Sequence, residues 1–153
     1  MSNCNSVAYG ALMNVGLADI DPIALLHDAE MRPTRQRQTL AQLLFGRVHR
    51  HVTAEELHRE ACAAGIKMAL ATVYNTLHRF TRAGLLREVA VDSGRRHFDT
   101  NVSYHHHVFD ERTGELSDID EGDLQISGLP EVPDGMEIRR VDVVVRVGFA
   151  DGR

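Results

Sequence analysis

The stretch that decides the fold is ATVYNTLHRFTRAG, residues 71–84. Val73, Leu77 and Phe80 recur at helical spacing and form one apolar stripe, and Gly84 marks the end of the predicted helix. The opposite face carries the polar side chains of Tyr74, Asn75, His78, Arg79 and Arg82. Taken alone, this pattern is more often that of a solvated amphipathic helix on a protein surface. The flanking segments therefore decide between the two interpretations.

Those segments predict a helix–turn–helix followed by a β-hairpin. Thr53-Ala54-Glu55-Glu56 is a capping box that starts a helix before the turn at Gly65. After Gly84 come two predicted strands, Leu85–Val91 and Arg95–Asp99, with a turn at Asp92-Ser93-Gly94. This order is typical of a winged helix, in which the second helix lies in the major groove of DNA. The context favours a DNA-binding face over a solvated one.

Two more helices are predicted before the capping box. Asp21-Pro22 has the pattern of an N-cap followed by proline in the first turn of a helix over Ile23–Glu30. Thr34 begins the second helix, which ends at Gly46. We therefore expect an N-terminal tail over residues 1–20 and a winged-helix DNA-binding domain over residues 21–99.

The remaining residues predict a smaller second domain. Residues 100–104 form a linker, and residues 105–153 form a small α/β domain for dimerisation and sensing, so that the fold class is α+β. The predicted elements are strands over His106–Phe109, Gly114–Asp118 and Met136–Phe149 and a short helix over Glu121–Ser127. The last strand is rich in valine, which predicts a sheet shared by two copies of the chain.

Charge divides the chain in the same way. Hydrophobic residues make up 43% and charged residues 25%, with a net charge of −5. Residues 1–98 carry 12 Lys and Arg against 9 Asp and Glu, whereas residues 99–153 carry 5 against 13. The basic half suits DNA and the acidic half a different partner. Since the chain has neither a bilayer-length apolar run nor a signal-peptide pattern, we expect a cytoplasmic protein with no membrane partner.

Three consecutive histidines, His105-His106-His107, form the chemical centre of the sequence. On a strand, His105 and His107 point to the same face and are predicted to chelate one ion. The two cysteines predict no disulfide and belong to no C-x-x-C pair. Cys62 is expected to be a buried thiol, and Cys4 is expected to lie in a disordered tail with its role open.

Four segments resemble, in order and spacing, the DNA-binding domain of the ferric uptake regulator superfamily. They are Arg32-Pro33-Thr34-Arg35-Gln36-Arg37, His51-Val52-Thr53-Ala54-Glu55-Glu56-Leu57, Ala71-Thr72-Val73-Tyr74-Asn75-Thr76-Leu77 and Ala83-Gly84-Leu85-Leu86. The resemblance implies that Tyr74 contacts bases and that Arg32 enters a narrow A·T-rich minor groove. With the polar face of residues 71–84, this gives the predicted DNA-binding set Arg32, Thr72, Tyr74, Asn75, His78 and Arg79. Asn75 stands where many relatives have arginine, which predicts a different target preference.

The resemblance also implies a regulatory metal site and a partner. Its ligand positions in this sequence are His51, Asp99, His105, His107 and Asp118. Three histidines and two carboxylates suit Mn²⁺, Fe²⁺ or Zn²⁺. An ion bound by residues of both domains would favour the dimers that bind DNA. The expected partners are an A·T-rich palindromic operator and a second copy of the chain, with a tetramer and the direction of regulation left open.

Departures from the family pattern concern its other metal sites. Asp110 and Thr113 stand where many members carry the C-x-x-C pair of a structural zinc site, so no zinc of that type is expected. Tyr104 and Val141 stand where a second site would have histidines. Both sites are therefore predicted to be lost.

Without those cysteines, the triple histidine resembles the iron response regulator branch of the superfamily. That branch controls iron and haem genes, which implies haem ligation by His105, His106 or His107. Its N-terminal Cys-Pro haem motif is missing, because Cys4 is followed by Asn5.

Three functions follow from these patterns. The first is a transcription regulator of iron and haem genes, controlled by metal, haem or both. The second is a peroxide-sensing or other metal-responsive regulator of the same superfamily. The third and least favoured is a small metalloenzyme, since two histidines and a carboxylate resemble an oxygenase or hydrolase site. No general base stands out in the sequence and half the chain predicts a winged helix, so we expect no enzyme activity.

Overall fold

The computed structural model describes residues 21–46, 48–91, 94–120 and 122–150. The chain divides into two compact units, Met1–Val102 and Ser103–Arg153. Helices and strands occur together in the first unit, and the described part of the second contains strands. The predicted α+β class is confirmed. The predicted tail over residues 1–20, with Cys4, lies outside the described residues.

In the described part of the first unit, three helices begin where the sequence places their caps, and a fourth begins without a side-chain cap. They are α1 (Pro22–Asp28), α2 (Arg35–Phe45), α3 (Ala54–Ala63) and α4 (Leu70–Arg82). The side chains of Asp21 and Thr34 accept hydrogen bonds from backbone N–H groups in the first turns of α1 and α2. The capping box of α3 is formed in full: the Thr53 N–H donates to Glu56 Oε2 at 2.8 Å, and the Glu56 N–H donates to Thr53 Oγ1 at 3.3 Å.

The described part of the first unit also contains three short strands: β1 (His51–Thr53), β2 (Arg87–Val89) and β3 (His97–Asp99). They form an antiparallel sheet in the order β1-β3-β2, in which β2 and β3 are the two strands of the wing. The wing strands are shorter than predicted, and β1 was not predicted at all. Residues 92 and 93 of the predicted turn lie outside the described residues.

The core of the first unit lies under the apolar stripe of α4. Val73, Leu77 and Phe80 are fully buried, and the Phe80 ring meets the Phe45 ring edge-on at 5.5 Å between centroids. Phe98 of β3 is also fully buried and packs into the same cluster. The fold-deciding stretch thus turns its apolar face inward and leaves its polar face outside.

The prediction for Cys62 was wrong, because its side chain is exposed. Helix α3 buries Leu57 and Ala61, and Cys62 follows Ala61 by a single residue, which turns it off the buried face. Its Sγ lies 3.7 Å from Nε2 of His58, one helical turn earlier. An apolar neighbourhood in the sequence did not identify the buried face of this helix.

The described part of the second unit contains a three-stranded sheet. Its strands are β4 (His106–Asp110), β5 (Glu115–Ile119) and β6 (Val144–Val147), in the order β5-β4-β6. Strands β4 and β5 form an antiparallel hairpin whose turn includes Gly114 at φ +74°. Strand β6 pairs with β4 in parallel.

Two predictions in the second unit were wrong. Residues 122–127 form no helix, and Glu121 lies outside the described residues. Gly122 at φ +97° and Gly128 at φ +71° adopt left-handed conformations at either end of the predicted helix. The long strand over Met136–Phe149 is formed only at Val144–Val147, where β4 supplies a pairing partner.

The first unit continues beyond the wing. Thr100 Oγ1 accepts a hydrogen bond from the Arg50 N–H at 2.8 Å, and the Thr100 N–H donates to the Arg50 carbonyl at 3.1 Å. These bonds hold the chain against the segment before β1. Among the described residues, no helix combines the length and apolar character needed to cross a bilayer.

Candidate metal centre and nucleic-acid interface

The first unit holds His51 and Asp99 side by side. They face each other across the pairing of β1 with β3, and His51 Nε2 lies 3.5 Å from Asp99 Oδ2. Asp99 is 1% exposed, and its Oδ1 accepts a hydrogen bond from the Asn101 N–H at 2.7 Å. That bond fixes the carboxylate so that its second oxygen is directed to the histidine. Strand β1, missed in the sequence, is what places His51 there.

The second unit gathers His105, His107 and Asp118. His107 lies opposite Asp118 in the pairing of β4 with β5. The Nε2 atoms of His105 and His107 are 3.0 Å apart, and Asp118 Oδ1 lies 3.2 Å from the first and 3.8 Å from the second. Both histidines are buried. The alternation along a strand, inferred from the sequence, accounts for their shared face.

These donors fit a divalent ion. Ligand atoms about 2.1 Å from one ion lie about 3.0–3.4 Å from each other, which brackets the two shortest separations in this cluster. His105 Nδ1 lies 3.0 Å from the Ser103 carbonyl oxygen. A carbonyl only accepts, so Nδ1 carries the ring proton and Nε2 offers its lone pair to the cluster. The remaining donor is a carboxylate, which supplies the negative charge that a cation needs.

His106 belongs to a different environment. Its Nδ1 accepts a hydrogen bond from the Val143 N–H at 3.4 Å, and its ring meets the Tyr104 ring edge-on at 5.2 Å between centroids. A neutral ring that accepts at Nδ1 carries its proton on Nε2, so neither nitrogen has a lone pair left for an iron atom. His106 holds the chain just before β6 instead. Of the three predicted haem ligands, this one is engaged in the fold.

The predicted DNA-binding residues divide by exposure. Asn75 and Arg79 on α4 are exposed, as is Arg32 in the segment before α2. The other three, Thr72, Tyr74 and His78, are half-buried on α4. The Tyr74 and His78 rings stack with their centroids 6.3 Å apart. On α4, Asn75 and Arg79 therefore lie on the outer face, and the three half-buried residues lie at its border with the core. Arg32 lies outside that helix.

Two acidic residues beside this face were not singled out from the sequence. Glu55, in the first turn of α3, accepts a hydrogen bond from the Tyr74 hydroxyl at 2.9 Å. Burial raises the pKa of Tyr74, and the bond to Glu55 raises it further. Glu88 on β2 lies 2.7 Å from Arg96 and 3.9 Å from His78. The sequence showed Glu55 only as part of a capping box, because its partner is 19 residues away.

Asp110 and Thr113, which stand where many family members carry the C-x-x-C pair of a zinc site, make hydrogen bonds in the turn after β4. Asp110 accepts hydrogen bonds from Nε and Nη2 of Arg112 at 3.1 and 2.8 Å. These bonds, together with the Arg112 backbone N–H, lower the pKa of Asp110 to about 2. Thr113 Oγ1 accepts from the Glu115 N–H at 3.2 Å. Tyr104 is exposed and Val141 is half-buried.

Comparison with known proteins gives one family. Residues 28–145 match the model of the ferric uptake regulator family. The peroxide-responsive repressor PerR of Staphylococcus epidermidis is 32% identical over 99 residues, which are 65% of this chain and 65% of that protein. PerR of Staphylococcus aureus gives the same identity over 65% of this chain and 66% of its own length. The match thus spans about two thirds of each relative.

Solved structures show the same fold. The ferric uptake regulator of Pseudomonas aeruginosa with manganese has a TM-score of 0.64 at 24% identity, covering 85% of this chain and 98% of its own. The Vibrio cholerae ferric uptake regulator has a TM-score of 0.67 at 20% identity, covering 84% and 100%. A zinc-bound manganese uptake regulator has a TM-score of 0.61 at 22% identity, covering 85% and 100%. At these identities the likeness concerns the fold alone.

Proposed function

The chain belongs to the ferric uptake regulator family, and from this membership we propose that it is a metal-responsive DNA-binding transcription regulator. Proteins of this family regulate transcription and are not enzymes. The observation that carries the proposal is the donor set His105, His107 and Asp118, whose nitrogen and oxygen atoms stand at separations suited to one divalent ion. The second unit therefore supplies three of the proposed metal ligands.

DNA binding is assigned to α4. Its buried stripe fixes the helix on the core, and its outer face presents Asn75 and Arg79. Asparagine pairs well with adenine edges, and arginine with guanine or phosphate. Arg32 is the proposed minor-groove contact. Two copies of the chain, bound to a palindromic A·T-rich operator, would place two such helices in successive major grooves.

We propose that the metal ligands of the two units serve one ion, as the family resemblance implies. His51 and Asp99 would come from the first unit, and His105, His107 and Asp118 from the second. Mn²⁺, Fe²⁺ or Zn²⁺ suits this mixture of imidazole and carboxylate. The bound ion supplies positive charge that neutralises the two carboxylates. Because the proposed ligands come from both units, binding of the ion would be coupled to binding of DNA.

Selection from a random duplex library with Mn²⁺ present, followed by fluorescence anisotropy on the selected duplex, tests this proposal. We expect binding to weaken about tenfold or more when EDTA removes the ion, within the range of typical allosteric couplings. The double variant His105→Ala/His107→Ala should bind equally weakly with and without Mn²⁺. His27→Ala, at an exposed position on α1 that belongs to neither the proposed metal ligands nor the proposed DNA contacts, is the matched control and should behave like the wild type. Equal affinities with Mn²⁺ and EDTA in the wild type would refute metal control.

A peroxide-sensing regulator is the second candidate. It is favoured by the matched relatives, which are named peroxide-responsive repressors, and by a donor set with two carboxylates. Incubation with Fe²⁺ and hydrogen peroxide, followed by peptide mass spectrometry, separates it from a plain metal sensor. Addition of one oxygen atom to His51, His105 or His107, with loss of DNA binding, supports peroxide sensing. Unmodified histidines after full release from DNA would argue against it.

A more specific version of the first candidate is a regulator that responds to iron and haem. Haem would need an axial ligand from the triple histidine, and His106 would have to give up its bond from the Val143 N–H to provide one. His105 and His107 would have to leave their mutual contact. The anisotropy measurement therefore includes a haem arm. Release of Mn²⁺-dependent binding by stoichiometric haem, with a Soret band that shifts in His105→Ala/His107→Ala, supports the haem proposal.

A further inference from the structure

Glu55 forms a hydrogen bond with Tyr74, the tyrosine that is proposed to contact bases. The Tyr74 hydroxyl donates to Glu55 Oε1 at 2.9 Å, linking the outer face of α4 to the first turn of α3. The Tyr74 ring is half-buried and packs against the edge of the core, and the His78 ring stacks on it. Both the ring and the hydroxyl of Tyr74 are therefore fixed in the protein alone.

Glu55 takes no part in the capping box, and as a first-turn carboxylate it contributes only its charge to the start of α3. The capping box uses Glu56, whose carboxylate accepts from the Thr53 N–H. The second oxygen of Glu55, Oε2, is buried and has no hydrogen-bond partner among the described residues. A buried carboxylate oxygen without a partner is costly, and such groups in native structures call for an explanation.

We propose that Glu55 is a positioning residue for base recognition: by accepting the hydrogen bond that the Tyr74 hydroxyl can donate, it leaves Tyr74 to present an acceptor oxygen and a ring edge to the major groove. This inference rests on the proposed function, in which α4 reads DNA. It adds which hydrogen-bonding character Tyr74 shows and which residue sets it. The carboxylate accepts only, so the direction of the bond is fixed.

The base pair that suits this arrangement is A·T. Its major-groove edge offers the adenine amino group as a donor and, beyond thymine O4, the thymine methyl group, which match an acceptor oxygen and an apolar ring edge. A G·C pair also offers an amino donor, on cytosine, but has no methyl group. A free hydroxyl could instead donate to the acceptors of guanine. Loss of Glu55 should therefore relax the choice between A·T and G·C at the pair that Tyr74 reads. The removed negative charge should at the same time strengthen binding to any duplex.

The first test measures affinity for the selected duplex and for a set in which each A·T pair is replaced singly by G·C. Wild-type protein should disfavour one replacement per half-site, and Tyr74→Ala identifies it by losing that preference. In Glu55→Ala this preference should fall about fivefold, the loss expected for one hydrogen bond, while affinity for an unrelated duplex rises. Glu55→Gln keeps an acceptor oxygen and should retain the preference. A preference unchanged in Glu55→Ala would overturn the proposal.

The second test detects the link without DNA. Alkaline absorbance titration of the wild type, minus that of Tyr74→Phe, isolates the ionisation of Tyr74 from that of the other tyrosines. Because the bond to Glu55 helps to raise the pKa of Tyr74, this step should move to lower pH in Glu55→Ala. A Tyr74 step at the same pH in both proteins would show that the link does not form in solution.

Failure of the proposed function has a different signature. Arg79→Ala and Asn75→Ala should each weaken binding to the selected duplex if α4 reads DNA. If neither variant changes affinity, the assignment of α4 and the role of Glu55 fall together. If both weaken binding while Glu55→Ala keeps the full A·T preference, only the role of Glu55 is lost.

Discussion

The two units of this chain bury different kinds of side chain. In the first unit, α2, α3, α4 and the sheet enclose a continuous apolar cluster that includes Leu44, Leu57, Leu77 and Phe80. In the described part of the second unit, the buried residues are His105, His106, His107, Phe109 and Leu116. Three of these five buried side chains are imidazole rings, whereas the buried cluster of the first unit consists of apolar side chains. Apolar burial therefore dominates the first unit, and in the second unit a metal ion bound by the histidines would add to the stability.

A pair of phenylalanine substitutions tests this contrast with the largest expected effect. Phe80→Ala removes a fully buried ring from the apolar cluster and should lower the free energy of unfolding by about 3–5 kcal/mol. Phe109→Ala, in a three-stranded sheet with few apolar neighbours, should cost less. Native-state hydrogen exchange suits the measurement, because it gives the free energy of opening for the backbone amides of each unit separately. Equal losses in the two variants would contradict the contrast.

Metal binding should stabilise the chain through the second unit. An ion bound only by the folded protein at a concentration of about 100 times its Kd adds about 2.7 kcal/mol to the free energy of unfolding. We expect Mn²⁺ to raise the melting temperature of the wild type measured by calorimetry. The increase should disappear in His105→Ala/His107→Ala and persist in the exposed variant His27→Ala. A full increase in the double variant would place the ion elsewhere.

The same contrast explains what could be predicted from the sequence. Helices α1 to α4 followed from local signals, such as the cap at Asp21 and the capping box at Thr53. Strand β1 did not, because three residues gain their strand geometry only by pairing with β3, more than 40 residues later. The predicted strand over Met136–Phe149 was too long for the same reason, since its length is set by β4.

Within the candidate site, the sequence and the structure contributed different parts. The shared face of His105 and His107 follows from strand alternation alone. Their pairing with Asp118 needs the register of β4 with β5, which the family resemblance suggested and local patterns could not supply. Glu55 was not recognised as a partner of Tyr74, because the contact joins two helices through side chains that no spacing rule relates. Long-range side-chain contacts were the part that local patterns could not predict.

A smaller effect concerns the caps of the first unit. Thr53→Ala removes the hydroxyl that accepts from the Glu56 N–H at 3.3 Å. It should lower the free energy of unfolding by about 1 kcal/mol, the usual cost of losing a helix cap. Thr53→Ser keeps the hydroxyl and is the matched control. If apolar burial dominates the first unit, this loss stays well below that of Phe80→Ala; a comparable loss would show that local helix signals matter as much as the core.

The smallest expected effect lies in the exposed turn after β4. The bonds from Arg112 lower the pKa of Asp110 from 3.8 to about 2. The folded state therefore favours the ionised carboxylate, so the contribution is complete above pH 3.8 and is lost as the pH falls through about 2. NMR titration of the Asp110 carboxyl carbon should show this low pKa, and Arg112→Ala should return it toward 3.8. Because the pair is exposed, the effect on unfolding should be small beside that of Mn²⁺. A large loss of stability in Arg112→Ala would mean that the second unit relies on its surface ion pairs rather than on its buried histidines.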